Sequence, residues 1–174
     1  MVSRIQQEIK QSRPFQTTAE EAAIALMRTA DLVRRAVASI VEPHGITPQQ
    51  YNVLRILRGA GEKGLPTLEV AERMVEQTPG ITRLIDRLER KRLVLRERCP
   101  TDRRQVFCRI TKEGLALLAK LDGPVSEAGQ WAPSLSAHEH AQLMRLLDKA
   151  RKSLSAGVIA VRSETQINNR RRIE

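Results

Sequence analysis

Residues 78–90, TPGITRLIDRLER, are the segment most indicative of the fold. It opens with Thr78 and Pro79, a helix start signal, because Pro has the backbone geometry of a first helical turn and that turn needs no N–H donor there. The periodicity predicts a helix over about 79–91. Its apolar residues fall on one stripe and its polar and charged residues on the others. The apolar stripe consists of Ile81, Leu84, Ile85 and Leu88.

A basic β-hairpin follows this helix. Residues 93–98 and 105–110 alternate between apolar and polar side chains, as strands with one buried face do. The turn between them, PTDRR at residues 100–104, carries two adjacent arginines. A capped helix followed by an arginine-tipped hairpin predicts a winged helix-turn-helix. That arrangement favours double-stranded DNA as the partner over a chemical reaction.

Composition supports a polyanionic partner. The chain has 174 residues, a net charge of +10 and 41% hydrophobic residues. Between Arg83 and Lys112 there are eleven Lys and Arg against four Asp and Glu, which is most of the surplus. Aromatic residues make up only 2%. This argues against RNA or single-stranded DNA, since both are usually bound on aromatic stacking platforms.

Several other classes of protein lack support in the sequence. No apolar run approaches the ~20 residues of a membrane helix, and the N-terminus has no apolar segment resembling a signal peptide. Two cysteines then fit a reducing cytoplasm. His138 and His140 diverge on a helix, so we expect no metal site and no cofactor. No catalytic constellation is present, and the sequence predicts that the protein is not an enzyme.

Helix start signals recur along the chain. Thr18 to Glu21, Thr47 to Gln50 and Ser136 to Glu139 each have the capping-box spacing. Thr67 and Thr111 are single caps of further helices. Leu65-Pro66 is long enough only for a bridge of strand. The pattern predicts a mainly α protein with a small β-hairpin wing and long helices at both ends.

Several motifs, in this order, resemble the MarR family of transcription regulators. They are HGITPQQ at 44–50, LPTLEVA at 65–71, PGITRLIDRLE at 79–89, and DRR at 102–104 followed by ITKEG at 110–114. The resemblance covers roughly residues 18–150. Two features depart from it: Arg92 stands where the family often has Gly, and residues 155–174 exceed the usual end.

The resemblance implies a winged helix-turn-helix core flanked by long dimerisation helices. We expect an N-terminal extension (1–17), a first dimerisation helix (18–46), a DNA-binding domain (47–112), C-terminal dimerisation helices (113–156) and a mobile basic tail (157–174). The apolar stripes of the end helices exceed what one small domain can cover. The dimer-interface candidates are Leu143, Met144, Leu147 and Leu154.

The DNA contacts are expected on the predicted helix and at the wing tip. Early residues of a recognition helix face base edges, and Arg can bind guanine through two hydrogen bonds. The helix candidates are Thr78, Pro79, Gly80, Thr82, Arg83 and Arg87. The alternative is that Arg83 and Arg87 are solvated charges paired with Asp86 or Glu89.

At the wing, Arg104 is the candidate for insertion into the minor groove, as the resemblance also implies. Arg103 is expected to contact a phosphate, and Asp102 to shape the turn through a hydrogen bond. The alternative is that the three form an ordinary charged surface turn.

A small-molecule effector is implied only by the resemblance, in the cleft between the dimerisation helices and the DNA-binding lobe. The candidates are Met27, Arg28, Asp31, His44, Tyr51 and Trp131. A lone His or Tyr at a helix junction is more often a core or cap residue. Cys99 and Cys108, on the two arms of the hairpin, are candidate redox residues, because neighbouring positive charge lowers a thiol pKa.

Taken together, the sequence predicts a cytoplasmic, sequence-specific DNA-binding regulator. We expect a ligand-responsive repressor that binds a palindromic operator as a homodimer. Two other hypotheses remain open. One is a thiol-responsive regulator of the same fold, and the other is a winged-helix interaction module without specific operator binding.

Overall fold

The computed structural model describes residues 3–77, 79–98, 106–128 and 135–170, with the side chains of 128 and 156–170 excepted. Its helices are α1 (Arg4–Glu8), α2 (Thr18–Val41), α3 (Pro48–Ala60), α4 (Thr67–Glu72), α5 (Ile81–Arg90), α6 (Lys112–Ala128) and α7 (Ala137–Arg170). Its strands are β1 (Leu65–Pro66), β2 (Val94–Arg98) and β3 (Val106–Ile110). The predicted mainly α fold with a small β wing is confirmed. The chain divides into two compact units, one holding α1 to α6 and the other α7.

The strands form one antiparallel sheet in the order β1-β3-β2. Strand β3 lies in the middle, with Cys108 opposite Leu65 of β1 and opposite Arg96 of β2. The hairpin predicted from the alternating pattern is therefore present, and the short strand at Leu65-Pro66 closes its inner edge. Because β3 is paired on both sides, its backbone has little freedom to move.

The core of the first unit is aliphatic, as the low aromatic content requires. Helix α3 lies at its centre, with Val53, Leu54 and Leu57 fully buried. Helix α5 contributes Ile85 and Leu88, also fully buried. This packing decides the orientation of α5 about its own axis: the stripe predicted from periodicity faces the core, and the polar stripe faces solvent.

Three predicted helix starts are confirmed in detail. Thr47 accepts from the Gln50 N–H while the Gln50 side chain accepts from the Thr47 N–H, with Pro48 as the first helical residue. Ser136 and Glu139 form the same reciprocal pair. The Thr111 hydroxyl accepts from the Gly114 N–H at 3.0 Å. Each bond satisfies an N–H that the helix itself leaves without a partner.

Two local predictions were wrong. Helix α2 is capped by Thr17, which accepts from the Glu20 N–H, rather than by Thr18. Helix α4 has Pro66 at its cap position, where Thr67 was expected. The Thr67 hydroxyl instead donates to the Val106 carbonyl at 3.3 Å, because β3 lies within its reach. The division of the chain at residue 156 stays a prediction, and helix α7 spans it.

Arg92 ends α5 in the left-handed conformation, with φ of 57°. Its N–H donates to the Glu89 carbonyl and the Leu93 N–H to the Leu88 carbonyl, the hydrogen-bond pattern of a Schellman cap. A side chain at this φ costs about 1 kcal/mol relative to Gly.

We therefore expect Arg92→Gly to raise the free energy of unfolding by about 1 kcal/mol. Urea denaturation followed by circular dichroism measures this change. Arg90→Gly is the matched control, because residue 90 is helical and Gly there should lower stability by about 1 kcal/mol. Equal losses in the two variants would contradict the assigned strain.

Candidate nucleic-acid interface

The solvent face of α5 carries the predicted contact residues. Thr82, Arg83 and Arg87 are all exposed, opposite the buried Ile85 and Leu88. Arg83 and Arg87 are one helical turn apart and so lie on the same side of the helix. A polyanion that approaches this face meets both guanidinium groups before it meets any apolar surface.

The first turn of α5 begins at a glycine. Gly80 is the cap residue, at φ of 100°, and the described residues form no side-chain cap hydrogen bond there. Gly is suited to this left-handed position because it has no Cβ to clash. Free N–H groups and the positive end of the helix dipole favour a phosphate. Pro79 is exposed beside Gly80, and Thr78 lies outside the described residues.

The two acids of α5 are held by an arginine on β2. Nη1 of Arg96 lies 2.5 Å from Oδ1 of Asp86. Its Nε and Nη2 donate to Oε2 of Glu89, at 2.9 and 2.5 Å. These contacts raise the pKa of Arg96, with the hydrogen bond to Glu89 as the largest cause. We call this group the Arg96 clamp, made of Arg96, Asp86 and Glu89.

The Arg96 clamp decides what Arg83 and Arg87 can do. Within the described part of the chain, neither of these arginines forms an ion pair. The alternative in which they pair with Asp86 or Glu89 therefore does not hold there, since β2 neutralises both acids. The clamp also joins the helix to the base of the wing.

Arg96 was not among the residues predicted from sequence. A signal for it existed, because strand alternation places Arg96 on the same inward face as the fully buried Val94. An inward-facing charge in a small domain requires a partner. The sequence alone did not identify that partner.

The tip of the wing lies outside the described residues. This applies to Asp102, Arg103 and Arg104 and also to Cys99, so their predicted roles stay predictions. The arms that carry the tip are described up to Arg98 and again from Val106. On the outer face of these arms Arg109 pairs with Glu97 at 3.1 Å.

Cys108 does not have the pKa direction expected of a redox-sensing thiol. It is fully buried, and its sulfur lies 3.5 Å from the Thr67 hydroxyl. Burial raises the pKa of the Cys108 thiol, an effect larger than the opposing influence of Arg96. The expected lowering by positive charge is wrong at this position, because the side chain faces the core. The thiol-responsive hypothesis then depends on Cys99.

The effector-pocket candidates have differing surroundings. Tyr51 is in the core with only 5% of its surface exposed, and burial raises the pKa of its phenol. Met27 is 60% exposed, and His44 is exposed in the turn that follows α2. Arg28 is half-buried, and Trp131 lies outside the described residues.

Asp31 already has two partners on its own helix. It pairs with Arg34 and, at 2.8 Å, with Arg35. The Arg34 hydrogen bond lowers the pKa of Asp31. A shallow depression of about 380 Å³ lies elsewhere, against the entry to α5, and none of the candidates line it. The assignment of an effector pocket therefore stays a prediction.

The dimer-interface candidates lie on α7. Met144 is 55% exposed and Leu154 is 64% exposed, while Leu143 and Leu147 are half-buried. Exposed apolar side chains also occur on α2, at Leu26, Met27 and Leu32. Large apolar side chains left in solvent on both long helices are typical of surfaces that a second chain covers.

The described residues lack two other kinds of feature. No group of three or more His, Cys, Asp or Glu side chains there could hold a metal ion. None of the helices described is both long enough and apolar enough to cross a bilayer.

The sequence matches the model of the MarR family over residues 44–105. Among curated proteins it is similar to the HTH-type transcriptional regulator MhqR of Bacillus subtilis, with 32% identity over 95 residues. That match covers 55% of this chain and 64% of the relative. It is also 32% identical, over 127 residues, to the homoprotocatechuate degradative operon repressor of Escherichia coli, which covers 72% of this chain and 84% of the relative.

Solved structures have the same fold. A MarR transcription factor from Planctomyces limnophilus aligns with a TM-score of 0.60 and 39% identity over 78% of this chain and 98% of that one. MepR of S. aureus, in a DNA complex, aligns with a TM-score of 0.68 and 25% identity, over 76% and 96%. CouR of Rhodococcus jostii RHA1, bound to p-coumaroyl-CoA, aligns with a TM-score of 0.65 and 27% identity, over 78% and 95%.

Proposed function

Because this chain belongs to the MarR family of winged helix-turn-helix transcription regulators, we propose that it is a cytoplasmic repressor that binds a palindromic operator as a homodimer. Members of this family are not enzymes. One observation carries the proposal. The Arg96 clamp neutralises both acids of α5 and leaves Arg83 and Arg87 exposed without ion pairs among the described residues. The solvent face of the helix therefore presents positive charge to a duplex.

Two of the similar proteins support this reading. The E. coli relative is an operon repressor, and the MepR structure is a complex with DNA. A two-fold symmetric dimer would place its two recognition helices in successive major grooves, about 10 bp apart. The exposed apolar residues of α7, including Met144 and Leu154, are the proposed dimer contacts.

Response to an effector forms part of the proposal. CouR, the similar protein of known structure with p-coumaroyl-CoA, supports a small organic ligand. A ligand that favours one spacing of the two recognition helices would need a coupling of about 1–3 kcal/mol to change operator affinity about 5- to 150-fold. Met27, Arg28, Asp31, His44, Tyr51 and Trp131 remain the candidate contacts.

The experiment that tests the proposal is selection of a random double-stranded DNA library on the purified protein at near-physiological salt, followed by sequencing. We expect a palindrome with two half-sites about one helical turn apart. Binding without a motif, lost steeply as salt rises, would instead indicate non-specific association or an interaction module.

Replacing Arg83 by Ala should relax the base preference at one position in each half-site. The reason is that a bidentate arginine contact to guanine contributes about 1–3 kcal/mol of discrimination. Repeating the library selection with the variant measures this effect. Arg13→Ala, at an exposed arginine far from α5 in sequence, is the control. An equal loss on all sequences would make Arg83 a phosphate contact instead.

Replacing Arg104 by Ala should weaken operator binding about tenfold, because a guanidinium inserted in a narrow minor groove is lost. Fluorescence anisotropy with a labelled operator gives the affinity. Sedimentation of the same sample should show an unchanged dimer. An unaltered affinity would refute the proposed role of the wing tip.

A further inference from the structure

The segment that leads into α5 and the cap residue that ends it both form polar contacts with one neighbouring pair of helices. That pair is α2 and α3 with the turn between them, residues 18–60, which we call the α2–α3 frame. The middle of α5 packs on the core through Ile85 and Leu88. Apolar packing has no preferred direction. It therefore determines which face of a helix is buried, but only weakly determines where the helix lies along its own axis. Hydrogen bonds at the two ends can set that position.

At the entry end, three side chains of the frame contact the turn before α5. The Val75 N–H donates to Oδ1 of Asn52 at 2.9 Å. Nε2 of Gln49 donates to Oε2 of Glu76 at 3.3 Å. Nη1 of Arg34 lies 3.8 Å from Oε1 of Glu76, while its Nη2 pairs with Asp31.

At the exit end, the contact comes from α5 itself. Lys91 is the cap residue of the helix, and its ammonium group donates to the carbonyl oxygen of Gly45. Gly45 lies between α2 and α3 and ends the turn Glu42–His44. The frame therefore contacts the segment that leads into α5, at Val75 and Glu76, and the cap residue Lys91 just after the last turn.

We propose that Arg34 and Lys91 are positioning residues that hold the recognition helix at its entry and its exit without touching DNA themselves. The proposal rests on the proposed function, in that α5 is taken to read base edges. Base readout depends on hydrogen-bond geometry, which a small shift along the groove disrupts. A movement of α2 relative to α3 would then reach the recognition helix through these two side chains.

The test compares Arg34→Met and Lys91→Met, each of which keeps an unbranched stem but removes the charge, with the wild-type chain. Arg35→Met is the matched control, because Arg35 shares the partner Asp31, whereas the ion pair with Glu76 is formed by Arg34. Lys91→Arg keeps a donor at the exit end. All variants are first checked for an unchanged thermal midpoint, and then measured by hydrogen exchange and by anisotropy on the selected operator.

We expect faster amide exchange at residues 74–77 in Arg34→Met and at residues 88–93 in Lys91→Met, with Arg35→Met like wild type. Operator affinity should fall about threefold in each single variant and about tenfold in the double variant, and Lys91→Arg should restore most of the loss at the exit end. The slope of affinity against salt should not change, because no phosphate contact is removed.

Three results would overturn the proposal. One is that Arg34→Met and Lys91→Met have the same amide exchange rates and operator affinity as Arg35→Met. Another is that, in either variant, the slope of log affinity against log salt concentration is smaller by about one, which would make the changed residue a phosphate contact. The third is loss of affinity in Arg35→Met to the same degree. If the wild-type chain selects no motif, the proposed function fails, and the exchange rates still decide whether the two side chains hold α5.

Discussion

Replacing Arg96 by Met is expected to weaken operator binding about 100-fold, or about 2.7 kcal/mol. Two effects act together. Asp86 and Glu89 lose the cation that neutralises them, so two carboxylates on the recognition helix then face a polyanion. The helix also loses its ion-paired connection to β2. Anisotropy with the selected operator measures the loss.

Matched variants separate these effects. Arg109→Met removes an arginine from the outer face of the same sheet, where it pairs with Glu97, and should change affinity only slightly. Adding Asp86→Asn and Glu89→Gln to the Arg96→Met variant should restore much of the affinity if charge dominates, and little if helix position dominates. Arg96→Met and Arg109→Met variants with equal affinities would contradict the role assigned to the clamp.

Replacing Gly64 by Ala is expected to cost about 3 kcal/mol of folding free energy, from a left-handed backbone and from overpacking. Gly64 has φ of 65°, and a Cβ placed there would lie 2.5 Å from the Cys108 carbonyl oxygen and 2.6 Å from Cγ of Arg109. The backbone of β3 cannot easily move away from the added Cβ, because β3 is hydrogen-bonded to β1 and to β2. Urea denaturation of the purified variant measures the cost.

Gly59→Ala is the control for this substitution. Gly59 lies in α3, and apart from the backbone of its own helix and its chain neighbours a Cβ there would have no heavy atom within 4 Å. Ala in a helix interior is favoured over Gly, so this variant should gain about 0.5–1 kcal/mol. If Gly64→Ala were as stable as Gly59→Ala, the close approach to β3 would not constrain this loop.

Several features followed from sequence because their causes are local. The stripe of α5 depends only on helical spacing, and Ile85 and Leu88 are buried as expected. The capping boxes at Thr47 and Ser136 connect residues three apart. Arg92 stands at a helix end where Gly is common, and it is indeed left-handed.

Other features escaped sequence reasoning for equally definite reasons. Thr17 and Thr18 each precede a Glu by three residues, so local spacing could not decide between them. Thr67 stands at the start of a helix, where a capping residue is expected. Its hydroxyl instead contacts Val106 and Cys108 of β3, about forty residues later in the chain. The raised pKa of the Cys108 thiol reflects burial of a side chain that faces the core, whereas its basic sequence neighbours suggested the opposite.

Most element types, the outward face of α5 and the basic character of the hairpin can be deduced from the sequence, because each depends on residues close together along the chain. The resemblance to one family depends on short motifs in a fixed order, which the sequence also contains. Which arginines of the described residues lack an acidic partner depends instead on tertiary packing. Arg96 reaches Asp86 and Glu89 because β2 packs beside α5, and charge pairing between separate elements depends on that distance, not on spacing along the chain.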